Sequence, residues 1–282
     1  MNTVGVVVLN YKNYEETIQC VHSILTQEKV EVRVVIVDNG SDNDSYSQLV
    51  AEFSRFENVY VIKNEKNWGY ARGNNIGIDF LREKNIDFIL VCNSDVVFSS
   101  NNIVAEMKKN DNGKIGSMIP IIKNLDGSIE MRAQYRSKLF PLRVLKELKK
   151  MQSSNEKKIK KSPAIQMDCL KPGIQEDYYV ITGSAFALTP AFFKYYTGLF
   201  PETFLYVEEL ATLLLVHKAG LKCAIIQTDD VIHKGAASTS ADLKPGSKGK
   251  RKMVAESAKK VEKLVYLPFF LIKKKYGKQH DC

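Results

Sequence analysis

An α/β fold, with a mostly parallel sheet flanked by helices, is predicted by three observations. Strand-length apolar runs recur through the first 119 residues, amphipathic segments of helical period separate them, and polar clusters follow the runs. Alternation of this kind winds a parallel sheet by right-handed crossovers, and such sheets bind ligands beyond the carboxyl ends of their strands.

Residues 4–9 are continuously apolar and rich in valine, the pattern of a strand covered on both faces. Residues 14–25 carry Ile18, Val21, Ile24 and Leu25 on one helical face. Residues 32–37 form a second buried strand that ends at Asp38. A helix over 45–53, a strand over 59–62, a helix over 71–81 and a strand over 88–91 follow, the last running into Asn93-Ser94-Asp95. A helix over 103–109 and a strand over 115–119 complete the alternation. From 126 to 177 it fails, and the stretch is basic and loop-rich. Residues 179–188 return to a strand pattern. Residues 204–219 read as a helix stopped by Gly220, and 222–226 as a short strand. The Gly-, Ser- and Lys-rich stretch 242–252 predicts a mobile loop, ahead of a lysine-rich amphipathic segment. This divides the chain into 1–119, 120–240 and a basic helical C-terminal extension, 241–282.

The chain has 282 residues and a net charge of +9, with lysines crowded into 138–161 and 244–278. A basic skew suits anionic partners or marks solvated helix faces. No basic stretch interleaves with stacking aromatics in a known module, so no nucleic-acid partner is expected. The five cysteines (20, 92, 169, 223 and 282) form no C-x-x-C pair, and three lie in apolar runs. Reduced, buried thiols are therefore expected, not a zinc site or a disulfide framework. No basic segment precedes residues 4–9 as in a signal peptide, and no apolar run approaches the roughly 20 residues of a membrane span. The expected location is cytoplasmic.

Five polar clusters can carry chemistry. Asp38-Asn39-Gly40-Ser41 is either a turn or a strand-end carboxylate that accepts hydrogen bonds from a base or ribose. The run 64–77 holds Asn67, Gly69, Arg72, Gly73, Asn74 and Asn75: glycines for close backbone approach, a guanidinium for phosphate, amides for either role. It is not G-x-G-x-x-G, which excludes a dinucleotide fingerprint. Asn93-Ser94-Asp95 is an Asx turn or a source of hard oxygen ligands for Mn²⁺ or Mg²⁺. Glu208 and Glu209 either favour a helix start through its dipole or include a general base. His233 is either structural or a metal ligand beside Asp95.

In this order, from about Val4 to Ser238, the clusters resemble the inverting family-2 glycosyltransferases of the GT-A (nucleotide-diphospho-sugar transferase) fold, nearest in flavour to bacterial rhamnosyltransferase-like and capsular-polysaccharide enzymes. V-V-V-L-N-Y, ending in Asn10 and Tyr11, and V-V-I-V-D-N-G-S-D look like the family's first two strands. N-W-G-Y-A-R-G-N-N-I-G is similar to its asparagine–glycine motif. N-S-D-V resembles the D-x-D variant with Asn93 in the first position. The resemblance implies a 1–240 catalytic domain with a nucleotide-binding half (1–119) and an acceptor-binding half (120–240). It implies donor contacts from Asn10, Asp38, Asn67, Gly69, Arg72, Asn74, Asn93, Ser94 and Asp95, and acceptor contacts from Thr182, Gly183 and Ser184. It further implies a metal on Asp95 and His233, and a base at Glu209, with Glu208 the second choice. The implied donor is a UDP- or dTDP-sugar, and the implied acceptor a glycan or lipid-linked oligosaccharide. The family's usual base is Asp. Its later Asp and Arg, four residues apart, are here Ala211 and Leu215, a paired loss. That departure leaves a second reading open, a non-catalytic glycosyltransferase-like subunit that binds a partner enzyme or glycan. The 264–278 stretch, with Tyr266, Phe269, Phe270 and three consecutive lysines from Lys273, is either packed on the core or a peripheral contact with the inner face of the plasma membrane.

Overall fold

The computed structural model describes residues 2–130, 134–135, 140–153, 175–179, 182–235 and 248–277. In chain order the elements are β1 (Thr3–Asn10), α1 (Tyr14–Leu25), β2 (Glu31–Asp38), α2 (Ser45–Phe53), β3 (Val59–Lys63), α3 (Tyr70–Glu83), β4 (Ile89–Asn93), β5 (Val96–Phe98), α4 (Ile103–Lys109), β6 (Ile115–Ile119) and β7 (Ile122–Asn124). They continue with β8 (Gln134–Tyr135), α5 (Phe140–Gln152), β9 (Gln175–Tyr179), β10 (Ala185–Leu188), α6 (Pro190–Phe193), α7 (Glu208–Lys218), β11 (Lys222–Ile225), β12 (Val231–His233), α8 (Lys248–Tyr266) and α9 (Phe269–Tyr276).

Nine strands form one sheet in the order β3-β2-β1-β4-β10-β6-β11-β9-β8. Only β10 and β9 run against the rest, so the expected mostly parallel sheet is observed. The apolar run of β1 is continuous because both sheet faces are covered. Val7 joins Ile78, Leu81, Leu214 and Leu215 on one face, while Val4, Val6 and Val8 join Val21, Ile24, Leu49 and Met107 on the other. Helices α3, α7 and α8 thus lie on one side, and α1, α2 and α4 on the other.

Three sequence expectations change, besides the 13-residue helix α5 that stands within the stretch read as loop-rich. The helix expected over 204–219 starts at Glu208, because Tyr206 and Val207 take left-handed conformations (φ 73° and 72°) that no α-helix accepts. Residues 248–252, expected in a loop, open α8: they hold the helix formers Lys250, Arg251 and Lys252, and Gly249 costs only about 1 kcal/mol. Residues 242–247, Cys169 and Cys282 lie outside the described residues, whereas Cys20, Cys92 and Cys223 are free and buried as expected. The third change is a separate three-stranded sheet, β5-β12-β7, which was not foreseen. Each of its strands has three residues, too few to show a period.

The C-terminal segment packs on the core. Ala258, Val261, Leu264 and Ile272 are buried in the same cluster as Phe192, Leu210 and Leu214. Lys218 Nζ donates to the carbonyls of Val265 (3.0 Å) and Leu267 (2.9 Å), satisfying the end of α8. Because this contact is shared with the main sheet, Leu264→Ala is expected to lower the stability of the whole chain by about 2–5 kcal/mol in urea unfolding. An unchanged main transition would mean the segment is merely tethered.

Candidate active site

The small sheet assembles the first half of the site. Strand β4 leaves the large sheet at Asn93, turns through Ser94 and Asp95, and enters the small sheet as β5. Strand β12 pairs antiparallel with β5 and sets His233 opposite Val96, while Lys234 N–H donates to the Asp95 carbonyl (2.9 Å). His233 Nε2 consequently stands 3.4 Å from Asp95 Oδ1. Strand β7 pairs parallel with β12, and a turn at Asp126-Gly127 returns the chain so that Glu130 N–H bonds the Ile122 carbonyl (2.8 Å). The returning residue places its carboxylate on the far nitrogen of the imidazole: His233 Nδ1 donates to Glu130 Oε2 at 2.8 Å. Burial pulls His233 down, but its bonds to Asp95 and Glu130 outweigh that and lift its pKa to about 10.

The same Glu130 oxygen accepts from Ser184 Oγ (2.8 Å), which lies 3.2 Å from Thr182 Oγ1. The Ser184 carbonyl accepts from Asn93 N–H (2.8 Å), so the strand that begins at Ala185 is stitched to the end of β4. Gly183 is the contact with α7: a Cβ built there would stand 3.0 Å from Glu209 Oε1. Tyr70 OH donates to the Gly183 carbonyl (2.6 Å). Burial and the nearby Glu209 and Glu208 raise its pKa well above the usual range, so it remains a donor. Asp95 and Glu209 are therefore joined by one chain of contacts through His233, Glu130, Ser184 and Gly183.

The two glutamates at the head of α7 differ in environment. Glu209 is half-buried and its carboxylate faces Gly183. Glu208 is buried, and burial together with the charge of Glu209 lifts its pKa to about 8.

The predicted donor residues surround the ends of β1, β2 and β3. Asp38 is fully buried and accepts from Asn10 Nδ2 (2.9 Å) and Ser41 N–H (2.9 Å), while Asn10 Oδ1 accepts from Thr17 Oγ1 (2.8 Å). Both side chains brace the 38–41 turn from inside. A shallow groove lined by Gly40, Ser41, Asp42, Lys63, Asn64 and Glu65 opens above them. Asn39 ties the next loop down. It donates to Asn67 Oδ1 (3.0 Å) and the Gly69 carbonyl (3.2 Å), and accepts from Asn64 Nδ2 (3.0 Å) and Trp68 N–H (3.2 Å).

The glycines expected to approach a ligand approach protein instead. Gly69 adopts φ +81°, with the Phe204 carbonyl oxygen 2.2 Å from where a Cβ would stand, and Gly73 presses α3 against Leu9 and Asn39. Arg72, exposed, donates from Nε to the Pro201 carbonyl (2.8 Å). Asn74 is fully buried and donates to the Tyr70 carbonyl (3.0 Å), while Asn75 clamps the backbone of Leu199 from both sides (2.7 and 2.9 Å).

The profile of glycosyl transferase family 2 matches residues 4–173, more than half of the chain. The chain belongs to that family. An uncharacterized glycosyltransferase of Acanthamoeba polyphaga mimivirus is 34% identical over 104 residues, covering 34% of this chain and 40% of that protein. The chain thus spans two fifths of the length of the curated relative. Among solved structures, GalNAc-T7 with UDP, GalNAc and Mn²⁺ superposes with a TM-score of 0.58 at 16% identity, over 83% of this chain and 44% of that one. S. aureus TarS in complex with UDP-GlcNAc gives 0.56 at 13% identity, over 86% and 62%. The α/β architecture is accordingly the GT-A fold.

Against the family-2 pattern, the missing Asp and Arg of α7 leave no gap. Ala211 and Leu215 are both fully buried in the apolar core, so the pair has been replaced by packing. Sequence reasoning missed Glu130, and it gave no individual role to Asn39, Asn64 and Tyr70 within the clusters it named. The Asp126-Gly127 dipeptide was the available signal for Glu130, since it marks a tight turn that reverses the chain.

Among the described residues no three His, Cys, Asp or Glu side chains group as a metal site. The pair Asp95 and His233 nonetheless fits two ligands of a divalent ion. Donors about 2.1 Å from an octahedral ion stand about 3 Å apart in adjacent positions, close to the 3.4 Å separation seen here.

Glu208 has a folded pKa raised from an ordinary 4.5 to about 8. Its stabilising protonated form is fully present below about 4.5, and stability is lost as pH rises through about 8. Glu208→Gln is expected to flatten the stability profile between those pH values. At pH 9 it should raise stability by an amount on the order of a few kcal/mol, read from chemical unfolding.

Proposed function

We propose that this family-2 protein is an inverting, divalent-metal-dependent glycosyltransferase. In this reading it moves a sugar from a UDP- or dTDP-sugar to a hydroxyl of a glycan or lipid-linked oligosaccharide in surface-polysaccharide synthesis. The observation that supports it is the contact chain that links Asp95 and His233 to Glu209 through Glu130, Ser184 and Gly183. GalNAc-T7, solved with UDP and Mn²⁺, and TarS, solved with UDP-GlcNAc, support a nucleotide-sugar donor on the shared fold.

Glu209 is the proposed base. A base must be ionised when the acceptor arrives, and Glu208, lifted to about 8, holds its proton at neutral pH. Glu209 takes the proton of the acceptor hydroxyl, and the oxygen attacks the anomeric carbon from the face opposite the nucleotide. The bond to the diphosphate oxygen breaks as the new bond forms, which inverts the centre without a covalent enzyme intermediate. Mn²⁺ or Mg²⁺ on Asp95 and His233 would neutralise charge on the diphosphate leaving group. Arg72 is assigned to the diphosphate, and the groove at Gly40–Asp42 and Lys63–Glu65 to the nucleoside. Asn39, Asn67 and Asp38 hold those loops in shape, and such preorganisation supplies much of the rate.

Asp95→Ala is expected to abolish Mn²⁺-dependent turnover of the donor. Glu209→Gln should lower kcat about 100-fold or more while UDP affinity stays close to wild type. Loss of turnover in Glu208→Gln, with Glu209→Gln active, would reassign the base.

A peripheral membrane contact near the acceptor is proposed for α8 and α9. Tyr266, Phe270 and Leu271 are 63%, 66% and 41% exposed and neighbour the Lys273–Lys275 run. Each lysine near an anionic leaflet is worth about 1 kcal/mol, and aromatic anchors favour the interface. No helix among the described residues is long and apolar enough to cross a membrane. The double substitution Phe270→Ser and Leu271→Ser is expected to weaken flotation with anionic vesicles without altering the melting temperature; equal flotation would remove the contact.

A further inference from the structure

Glu130 belongs to no motif of the chain, yet it is the point where three separate segments meet. It ends the hairpin that follows β7, and its Oε2 accepts from His233 Nδ1 on β12 and from Ser184 Oγ ahead of β10, both at 2.8 Å. Its side chain is only 19% exposed, beside a His233 at 16% and an Asp95 at 8%. The two ring nitrogens of His233 therefore face different carboxylates: Nε2 towards Asp95, Nδ1 towards Glu130. Because the nitrogens point away from each other across the imidazole, Glu130 sits on the side opposite Asp95.

The geometry points to Glu130 as a positioning residue that fixes the ring orientation of His233, accepting from Nδ1 so that Nε2 is the nitrogen turned towards a divalent cation beside Asp95. This role rests on the metal-dependent reading above. A neutral imidazole carries its proton on either nitrogen, and only the nitrogen without it can bind a metal. A carboxylate acceptor at Nδ1 selects the useful form and raises the basicity of the other nitrogen. A hydroxyl would not do this as well, because it can donate as well as accept. Ser184 adds the second constraint: by donating to the same Oε2 it keeps the carboxylate from turning off the imidazole. Since the Ser184 carbonyl is bonded to Asn93 N–H, the positioning group is braced by the end of β4, two residues before Asp95.

The test is Mn²⁺ affinity at saturating UDP, read from the electron paramagnetic resonance signal of free Mn²⁺, in the wild type and in Glu130→Ala, Glu130→Gln and Asp95→Ala. Glu130→Ala is expected to weaken Mn²⁺ binding about 10- to 100-fold. Glu130→Gln, which keeps an acceptor oxygen without the charge, should fall between it and the wild type. UDP affinity in EDTA should stay at the wild-type value in Glu130→Gln, and raising Mn²⁺ should restore its kcat. If both Glu130 variants bind Mn²⁺ as the wild type does while Asp95→Ala does not, Glu130 is a structural strut and the positioning role is overturned. If Asp95→Ala also retains Mn²⁺ affinity, the metal reading itself falls and this role falls with it. Should Glu130→Ala fail to fold, Glu130→Gln decides alone.

Discussion

A histidine held between two carboxylates at the seam of two sheets is the constraint around which the rest of this site is built. His233, Asp95 and Glu130 are each largely removed from solvent. An isolated buried charge is costly, and such groups are tolerated only when paired and hydrogen-bonded as a set. The set exists because β12 is short and fixed in register on both sides. Its pairing with β5 puts His233 opposite Val96, and its pairing with β7 puts it beside Asn124, from which the chain turns back to Glu130. A shift by one residue would turn His233 to the other face of the small sheet and break both contacts. The backbone bond from Lys234 to the Asp95 carbonyl, together with the ion pair of Lys234 with Glu16 on α1, holds that register.

The loop that delivers Glu208 and Glu209 is held by strain and packing. Tyr206 and Val207 both carry positive φ, which is costly for a β-branched residue and persists only where the surroundings over-determine it. Here the Phe204 carbonyl is fixed by Tyr70 N–H (2.7 Å) and the Leu205 carbonyl by Ser257 Oγ (2.9 Å), while Lys250 lies 4.9 Å from the Tyr206 ring. Two of these supports come from α8, so the C-terminal helices shape the loop that delivers Glu208 and Glu209. That loop lets neighbouring glutamates diverge: one turns into the protein and is pushed towards its neutral form, and the other faces Gly183 in the cleft. Glu208 is set apart from its neighbour by burial and by the charge beside it.

Much of this was legible beforehand. The unbroken apolar runs of β1 and β2, the helical period of residues 14–25 and the polar residues after each strand gave the sheet, its helices and the edge at which the candidate site residues gather. Asp95 and His233 were named from residue type and the family resemblance, Glu209 and the 182–184 stretch from the resemblance, and the structure brings them into one chain of contacts. What stayed hidden has physical causes. The three-residue strands of the small sheet carry no period. Glu130 lies in a stretch without alternation, and the Asp126-Gly127 turn before it marks a chain reversal but not which partners its carboxylate meets. Gly69 and Gly73 looked like room for a ligand, but the atoms that fill the room are the Phe204 carbonyl and the Leu9 side chain.

The sequence by itself determined the α/β class, the family-2 motifs and the identity of most candidate side chains, because those depend on local pattern and on residue chemistry. Only the tertiary structure decided that Asp95 and Glu209 are joined by one chain of contacts, that Glu208 is buried and pushed towards its neutral form while Glu209 faces Gly183, and that the basic C-terminal helices pack on the core. Each of these depends on which distant segments exclude water from a given atom, and burial is a property of the assembled fold that no stretch of chain carries alone.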